Sequence, residues 1–312
     1  MKENYMNYMG NTPMVKLTRM IPQSKANIYI KLEGCNPGGS KKARVSYQMI
    51  LDAEKNGLLK PGTRASLIEP TGGNTGLGLT LMAINRGYDI TLVIPDNYSK
   101  QNINLLRGYG ARVLLSDSTT GSDSHIRLVK EIVSENKNYI WLDQLSNPSN
   151  PMAHYNFTGK EILDQVKHID YFISAVGSGG TITGAGKRLK EANDKTIVVA
   201  MQPQGCDILN GVSVPHKIQG ASIGLVSSVF DTKIVDQCIN VSYSEAVNTA
   251  RDLVKKEGLY LGISSCANVA VSLKLAETIG EGKTIVVESA DFGYQYEDFY
   301  KEVFQGKDSE SL

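Results

Sequence analysis

Cysteine is scarce in this chain and unpatterned. The four cysteines, Cys35, Cys206, Cys238 and Cys266, include no C-x-x-C pair, so neither a zinc site nor a disulfide framework is predicted, and a reducing cytoplasm is the expected compartment. Long apolar runs are missing too. No stretch of about 18 apolar residues occurs, which argues against a membrane span. The first residues, MKENYMNYMGNTPM, lack a basic segment followed by an apolar core, so no secretory signal is expected. An excess of charge is also absent. Lysine plus arginine number 33 and aspartate plus glutamate 32, a formal charge of +1, which gives no support for a nucleic-acid or membrane-surface partner. His125, His154, His168 and His216 are scattered and form no metal-ligand spacing, so no metal is expected. What remains is a chain of 312 residues, 41% hydrophobic and 21% charged, without internal repeats. It has the size of two domains or one large α/β unit.

The apolar residues alternate between two periods. Residues 26–32, 65–68, 90–94, 111–115, 139–142, 171–175, 197–201 and 284–288 read as strands. Helical patterns cover 40–56, 75–86, 102–108, 124–135, 157–165, 183–192, 244–257 and 266–279. Strand–helix alternation of this kind predicts a layered α/β fold with mostly parallel sheets. Glycine and proline cluster at the joints 37–39, 72–76 and 177–180. The segment SNPSNP at 146–151 reads as a connector between domains, and residues 305–312 read as a frayed tail.

Four joints carry chemistry. Residues 36–44 (NPGGSKKAR) follow a strand and open a helix, with Ser40 placed as an N-cap and Lys41 and Lys42 in the first turn. A lysine there feels the positive end of the helix dipole, which penalises its charged form, and a neutral lysine is a nucleophile ready to form a Schiff base. Position alone leaves open two solvated surface lysines, since lysines are mostly exposed. Residues 177–184 (GSGGTITG) directly follow the apolar run YFISAV. A glycine turn ahead of a helix N-terminus makes an anion site, to which Ser178, Thr181 and Thr183 could add hydroxyls. Residues 69–76 (EPTGGNTG) offer the Asn74 amide and the Thr71 and Thr75 hydroxyls beside backbone N–H groups, a nest suited to a carboxylate. Residues 262–265 (GISS) lie in a loop before the helix expected from Cys266. Cys35 and Cys266 read as small buried residues rather than nucleophiles.

Taken in order, NPGGSKKAR, EPTGGNTG, QLSNPSNP, GSGGTITG, HKIQG and GISS resemble the fold type II pyridoxal-phosphate enzymes. More narrowly, the chain resembles the O-acetylserine sulfhydrylases (cysteine synthases) and the catalytic cores of cystathionine β-synthases, from residues 10–13 (GNTP) to 291–296 (DFGYQY). The resemblance implies a two-domain, three-layer αβα architecture like that of the tryptophan synthase β-subunit. The N-terminal, mobile domain would comprise residues 1–12 and 35–146, and the C-terminal domain residues 13–34 and 147–304. It implies pyridoxal 5′-phosphate as cofactor and, by the family pattern N-P-x-G-S-x-K-x-R, a Schiff base on Lys42 rather than Lys41. Asn74 is then expected at the cofactor's phenolic oxygen and Ser264 at its pyridine nitrogen. Gly177, Ser178, Gly179, Gly180 and Thr181 are expected to hold the phosphate. Thr71, Gly72, Asn74, Thr75 and Gln144 are expected around the substrate carboxylate. His216, in the HKIQG segment, takes a structural role.

The implied reaction is β-replacement on a serine- or cysteine-type amino acid through an α-aminoacrylate, with Lys42 as the general base. A serine at the pyridine nitrogen weakens the electron sink and favours elimination over transamination. Cysteine synthesis from O-acetylserine or O-phosphoserine and sulfide is the leading reading, in a cytoplasmic homodimer. The alternatives are sulfide release from cysteine, cystathionine synthesis, a diaminopropionate-type synthase, or a non-catalytic partner-binding homologue. Departures from the pattern fall around the substrate. Ala43 stands where aspartate is usual, and Gly72 stands where serine or alanine is. GASIG at 220–224 replaces G-I-G-A-G, SADFGYQY at 289–296 lacks the usual proline and arginine, and GSDSH at 121–125 differs from the closing loop. These changes put a standard O-acetylserine preference in question, with Asp123 and His125 as the nearest polar substitutes.

Overall fold

Runs such as YFISA and IVVAM are apolar on both faces, and a strand of that kind is stable only when helices cover both sides of its sheet. The computed structural model describes residues 4–21, 25–121 and 123–305, and the chain divides into two compact units, Met1–Gly10 with Asn36–Ala153 and Asn11–Cys35 with His154–Leu312. The strands β1 (Met14–Lys16) and β2 (Asn27–Leu32) come early in the chain but belong to the second unit. The first unit is built on β3 (Ser66–Glu69), β4 (Asp89–Pro95), β5 (Arg112–Ser116) and β6 (Tyr139–Trp141), in the order β5-β4-β3-β6, all parallel. Its helices are α1 (Lys42–Lys55), α2 (Asn74–Arg86), α3 (Lys100–Gly108), α4 (Ser124–Glu135) and the short α5 (Ser149–Ala153). Alternate strand residues face opposite layers. Leu67, Leu92 and Ile94 pack with Met49 of α1 and Leu79 and Met82 of α2, while Ile68 and Val93 pack with Val129 of α4.

The second unit adds α6 (Lys160–Gln165), β7 (Tyr171–Ala175), α7 (Gly180–Ala192), β8 (Ile197–Pro203), β9 (Gln237–Val241), α8 (Tyr243–Asp252), α9 (Ile263–Ala276), β10 (Thr284–Ser289) and α10 (Glu297–Gln305). Its sheet runs β1-β2-β10-β7-β8-β9, antiparallel at β1–β2 and parallel elsewhere. Ile173, Val199 and Val287 pack against Val269 of α9 and Ala250 of α8, and Phe172, Val198 and Val286 against Ile182, Ala185 and Leu189 of α7. Each unit is therefore a three-layer αβα sandwich with a mostly parallel sheet. Among the described residues no helix is long and apolar enough to cross a membrane.

Several local expectations need correction. The helix expected from Ser40 begins at Lys42, with Lys41 at the N-cap position. Ser40, extended, still caps the helix start as expected, its hydroxyl accepting the Lys42 N–H at 3.3 Å. The expected connector at 146–151 runs into α5, where the Ser149 hydroxyl donates to Asp52 of α1 at 2.6 Å. The chain accordingly leaves the first unit after Ala153. Gln305, assigned to the tail, ends α10, and residues 306–312 lie outside the described residues. The helices expected over 157–165 and 244–257 each contain a π-helical stretch, His154–Gly159 and Leu253–Glu257. The strands β1 and β9 and the helices α5 and α10 were not anticipated; β1, β9 and α5 are short.

One buried acid fixes the geometry of the first unit. β3 ends at Glu69, 1% exposed, whose carboxylate accepts the N–H groups of Asp143 at 3.1 Å and Gln144 at 3.0 Å in the turn after β6. Burial, with the adjacent Asp143 charge adding to it, pushes Glu69 up to about 7 against the pull of those hydrogen bonds. The ordinary carboxylate value is lower, so between the two values the folded chain binds a proton that the unfolded chain does not. The contribution of Glu69 to stability is then fully present below its unfolded value and is lost as pH rises through about 7. The expected loss is on the order of 3 kcal/mol. Urea unfolding of wild type and Glu69→Gln from pH 4.5 to 8, followed by the single tryptophan, Trp141, should show the stability difference between them shrinking or reversing by that amount. Parallel pH profiles would show that Glu69 is ionised across the whole range.

Candidate active site

In the first unit the residues converge on one amide oxygen. α1 and α2 approach closely because position 78 carries no side chain: a Cβ there would lie 2.6 Å from the Ser46 hydroxyl oxygen and 3.0 Å from the Lys42 carbonyl oxygen. That approach sets the first residues of both helices side by side. The Thr75 hydroxyl donates to Gln144 Oε1 at 2.7 Å, and Lys42 Nζ donates to the same oxygen at 3.3 Å. Gln144 is itself held on the main chain, by Glu69 at its N–H and by Asn150 Nδ2 at its carbonyl, 2.7 Å away. Thr71 and Gly72 form the turn between β3 and α2, with the Thr71 N–H donating to the Glu69 carbonyl at 3.1 Å. Asn74 is the first residue of α2. Lys42, Thr75 and Gln144 are thus joined directly, and Thr71, Gly72 and Asn74 lie on the same turn and helix start.

The second unit carries the glycine turn and the GISS segment. β7 runs into Gly177, and the turn passes without a break into α7 at Gly180, three residues earlier than expected. Two of its glycines are dictated by space. A Cβ at Gly177 would lie 2.7 Å from the Gly220 carbonyl oxygen, and one at Gly179 would lie 2.4 Å from Phe230 Cβ. Gly179 also has φ of +80°, which disfavours any side chain. The result is a turn of bare backbone leading into a 13-residue helix, the arrangement that suits a phosphate. Ser227 donates its hydroxyl to the Ser178 carbonyl. Thr181 lies 3.2 Å from Nε2 of the buried His154, whose Nδ1 is 2.9 Å from the Thr158 hydroxyl. His154 is a supporting residue that sequence reasoning passed over, since nothing in its local pattern points at residue 181. The Thr183 hydroxyl accepts the Asp231 N–H at 3.0 Å.

GISS is not a loop ahead of its helix. Gly262 is the N-cap of α9, so the buried Ser264 stands in the first turn. A Cβ at Gly262 would fall 1.9 Å from Asp291 Oδ1, which explains the glycine, and Asp291 accepts from the Tyr296 hydroxyl at 2.7 Å. The Ser265 hydroxyl accepts the Ala290 N–H at 2.9 Å. Cys266 is buried, and burial pushes its thiol up to about 12, which makes it a poor nucleophile. Cys35 is exposed rather than buried, and partial covering with the nearby Glu33 carboxylate pushes it up as well. Asp123, one of the two polar residues expected as substitutes near the substrate, is paired with Arg127 four residues on, and burial holds the other, His125, below the usual imidazole range.

The family model for pyridoxal-phosphate dependent enzymes matches residues 5–291. Cysteine synthase A of Escherichia coli (strain K12) is 41% identical over 299 residues, covering 92% of this chain and 91% of that one. The crystal structure of an O-ureido-L-serine synthase superposes with a TM-score of 0.91 at 34% identity, covering 100% of this chain and 98% of the other. That of O-acetyl serine sulfhydrylase isoform 3 from Entamoeba histolytica gives 0.92 at 34% identity, covering 100% and 94%. The chain belongs to the pyridoxal-phosphate dependent enzymes.

Proposed function

We propose that the enzyme makes cysteine by β-replacement, from O-acetylserine or O-phosphoserine and sulfide. The observation that carries the proposal is the joint hydrogen bonding of Lys42 and Thr75 to Gln144 Oε1, which sets an amine beside a carboxylate-binding turn in a chain whose relatives include cysteine synthases. The residues fit the cofactor. The bare turn 177–180 at the head of α7 suits its phosphate, with Ser178 and Thr181 alongside. Lys42 suits its aldehyde carbon, Asn74 its phenolic oxygen, and the buried Ser264 hydroxyl its pyridine nitrogen.

When bound, pyridoxal phosphate supplies the electron sink that lowers the barrier to losing the α-proton. The protein supplies position and proton transfer. Thr71, Asn74, Thr75, Gln144 and the backbone at Gly72 hold the donor's carboxylate, so that its α-carbon is presented to Lys42 Nζ. Lys42 takes the α-proton as a general base. The acetate or phosphate then leaves from the β-carbon, sulfide adds there, and Lys42 returns a proton to the α-carbon. A neutral serine at position 264 offers a hydrogen bond without a compensating negative charge. The site residues therefore favour elimination and addition at the β-carbon. A homodimer in the cytoplasm, and transferase rather than lyase action, complete the proposal on the strength of the family likeness.

Holoenzyme given O-acetyl-L-serine and sulfide should form cysteine, with O-phospho-L-serine run in parallel. Sulfide release from cysteine, faster than cysteine formation from either donor, would overturn the proposal in favour of lyase action. Absence of any turnover with bound cofactor would favour a partner-binding role. Lys42→Ala should lower turnover by about 10³-fold or more, whereas Lys41→Ala should keep most of it. Borohydride reduction and peptide mapping should place the cofactor label on residue 42, and label on Lys41 would refute the assignment. Ser264→Asp should retain cofactor but change its absorbance and slow β-replacement, because a carboxylate favours a protonated ring nitrogen. An unchanged spectrum and rate would remove Ser264 from the ring nitrogen.

A further inference from the structure

Gly72 is a glycine for want of room, not for backbone freedom, and Gly73 beside it is closely approached. Neither has a positive φ. A Cβ at Gly72 would lie 2.6 Å from Ile94 Cγ2 and 3.0 Å from both Cδ1 and Cε1 of Tyr98, and one at Gly73 would lie 3.0 Å from the Tyr98 hydroxyl oxygen. The ring of Tyr98 therefore runs along the two glycines, its edge at Gly72 and its hydroxyl at Gly73. Its placement is built into the local chain. Tyr98 N–H donates to the Pro95 carbonyl at 3.0 Å, closing the turn after β4, and the next residue, Ser99, caps α3 by accepting the Asn102 N–H at 3.4 Å. Gly72 is buried, whereas Tyr98 is 36% exposed, so the ring covers the turn yet is reachable from solvent. A phenol stays protonated at neutral pH, and it donates a hydrogen bond well to an anion.

We infer that Tyr98 is a substrate-binding residue: its hydroxyl donates to the carboxylate of the amino-acid donor and supplies the hydroxyl that a serine at position 72 would bring. Gly72 and Tyr98 are then one device in two parts. The ring occupies the volume a serine side chain needs, so this packing does not accommodate both. The hydroxyl is carried on a rigid ring with few rotatable bonds, and it costs little to order on binding. The inference rests on the reading of residues 71–75 as the carboxylate site.

The test separates the two. Holoenzymes of wild type and Tyr98→Phe are titrated with L-alanine, which has the carboxylate but no β leaving group, and with ethylamine, which lacks the carboxylate. Cofactor absorbance and calorimetry report binding. Tyr98→Phe should weaken L-alanine by about tenfold and leave ethylamine unchanged, and in turnover the loss should fall on KM for the donor. Phenylalanine keeps the ring against the two glycines, so the thermal midpoint should stay at the wild-type value. Equal L-alanine affinity in the two proteins overturns the role of Tyr98 while leaving the carboxylate site intact. Wild-type enzyme that binds L-alanine no more tightly than ethylamine overturns the carboxylate site, and the role of Tyr98 with it.

Discussion

The side-chain oxygen of Gln144 accepts from Thr75 and from Lys42 at once, and the arrangement of the first unit follows from that shared acceptor. Two donors on two helices meet at one atom only if α1 and α2 start side by side, which requires the missing side chain at Gly78. The atom must also stay put, which requires that the turn after β6 be anchored. Glu69 does this from below, with one carboxylate oxygen for each of two successive N–H groups. A carboxylate is the one side chain that offers an acceptor to both without presenting a competing donor. The cost is an acid buried to 1% exposure, and its raised proton affinity is the trace of that cost.

The strand–helix alternation and the glycine turns were legible in the sequence because both are local. A run such as TIVVES announces a buried parallel strand by composition alone, and 177–180 announces a turn by its glycines. Boundaries were less legible where tertiary contacts set them. α9 begins at Ile263 rather than Cys266 because Gly262 is pressed against Asp291, a residue far along the chain. α5 forms within a proline-containing stretch because Ser149 is tied to Asp52. Ser40 caps as its type suggests, extended and with its hydroxyl accepting the Lys42 N–H.

Residues that support the site rather than touch ligand were invisible for the same reason. His154 acts on Thr181 across 27 residues. A histidine without acidic neighbours at metal spacing looks inert in a linear reading. Its meaning comes from the π-helical stretch that carries it and from Gly159, whose bare Cα lets that stretch approach Ala185 and Arg188 of α7.

The glycines of the turns at 72–73 and 177–180 show why one turn is easier to read from sequence than the other. Gly179 is needed by its own backbone, with φ of +80°, so any chain that makes this turn keeps a glycine there and the motif persists. Gly72 has no such need. Its identity depends on what Ile94 and Tyr98 do across the turn, and a change in one partner permits or forbids a change in the other. The contiguous turn is therefore legible from its own residues. Position 72 is half of a pair whose other half lies in a different loop, and it acquires meaning only when the fold has brought the two together.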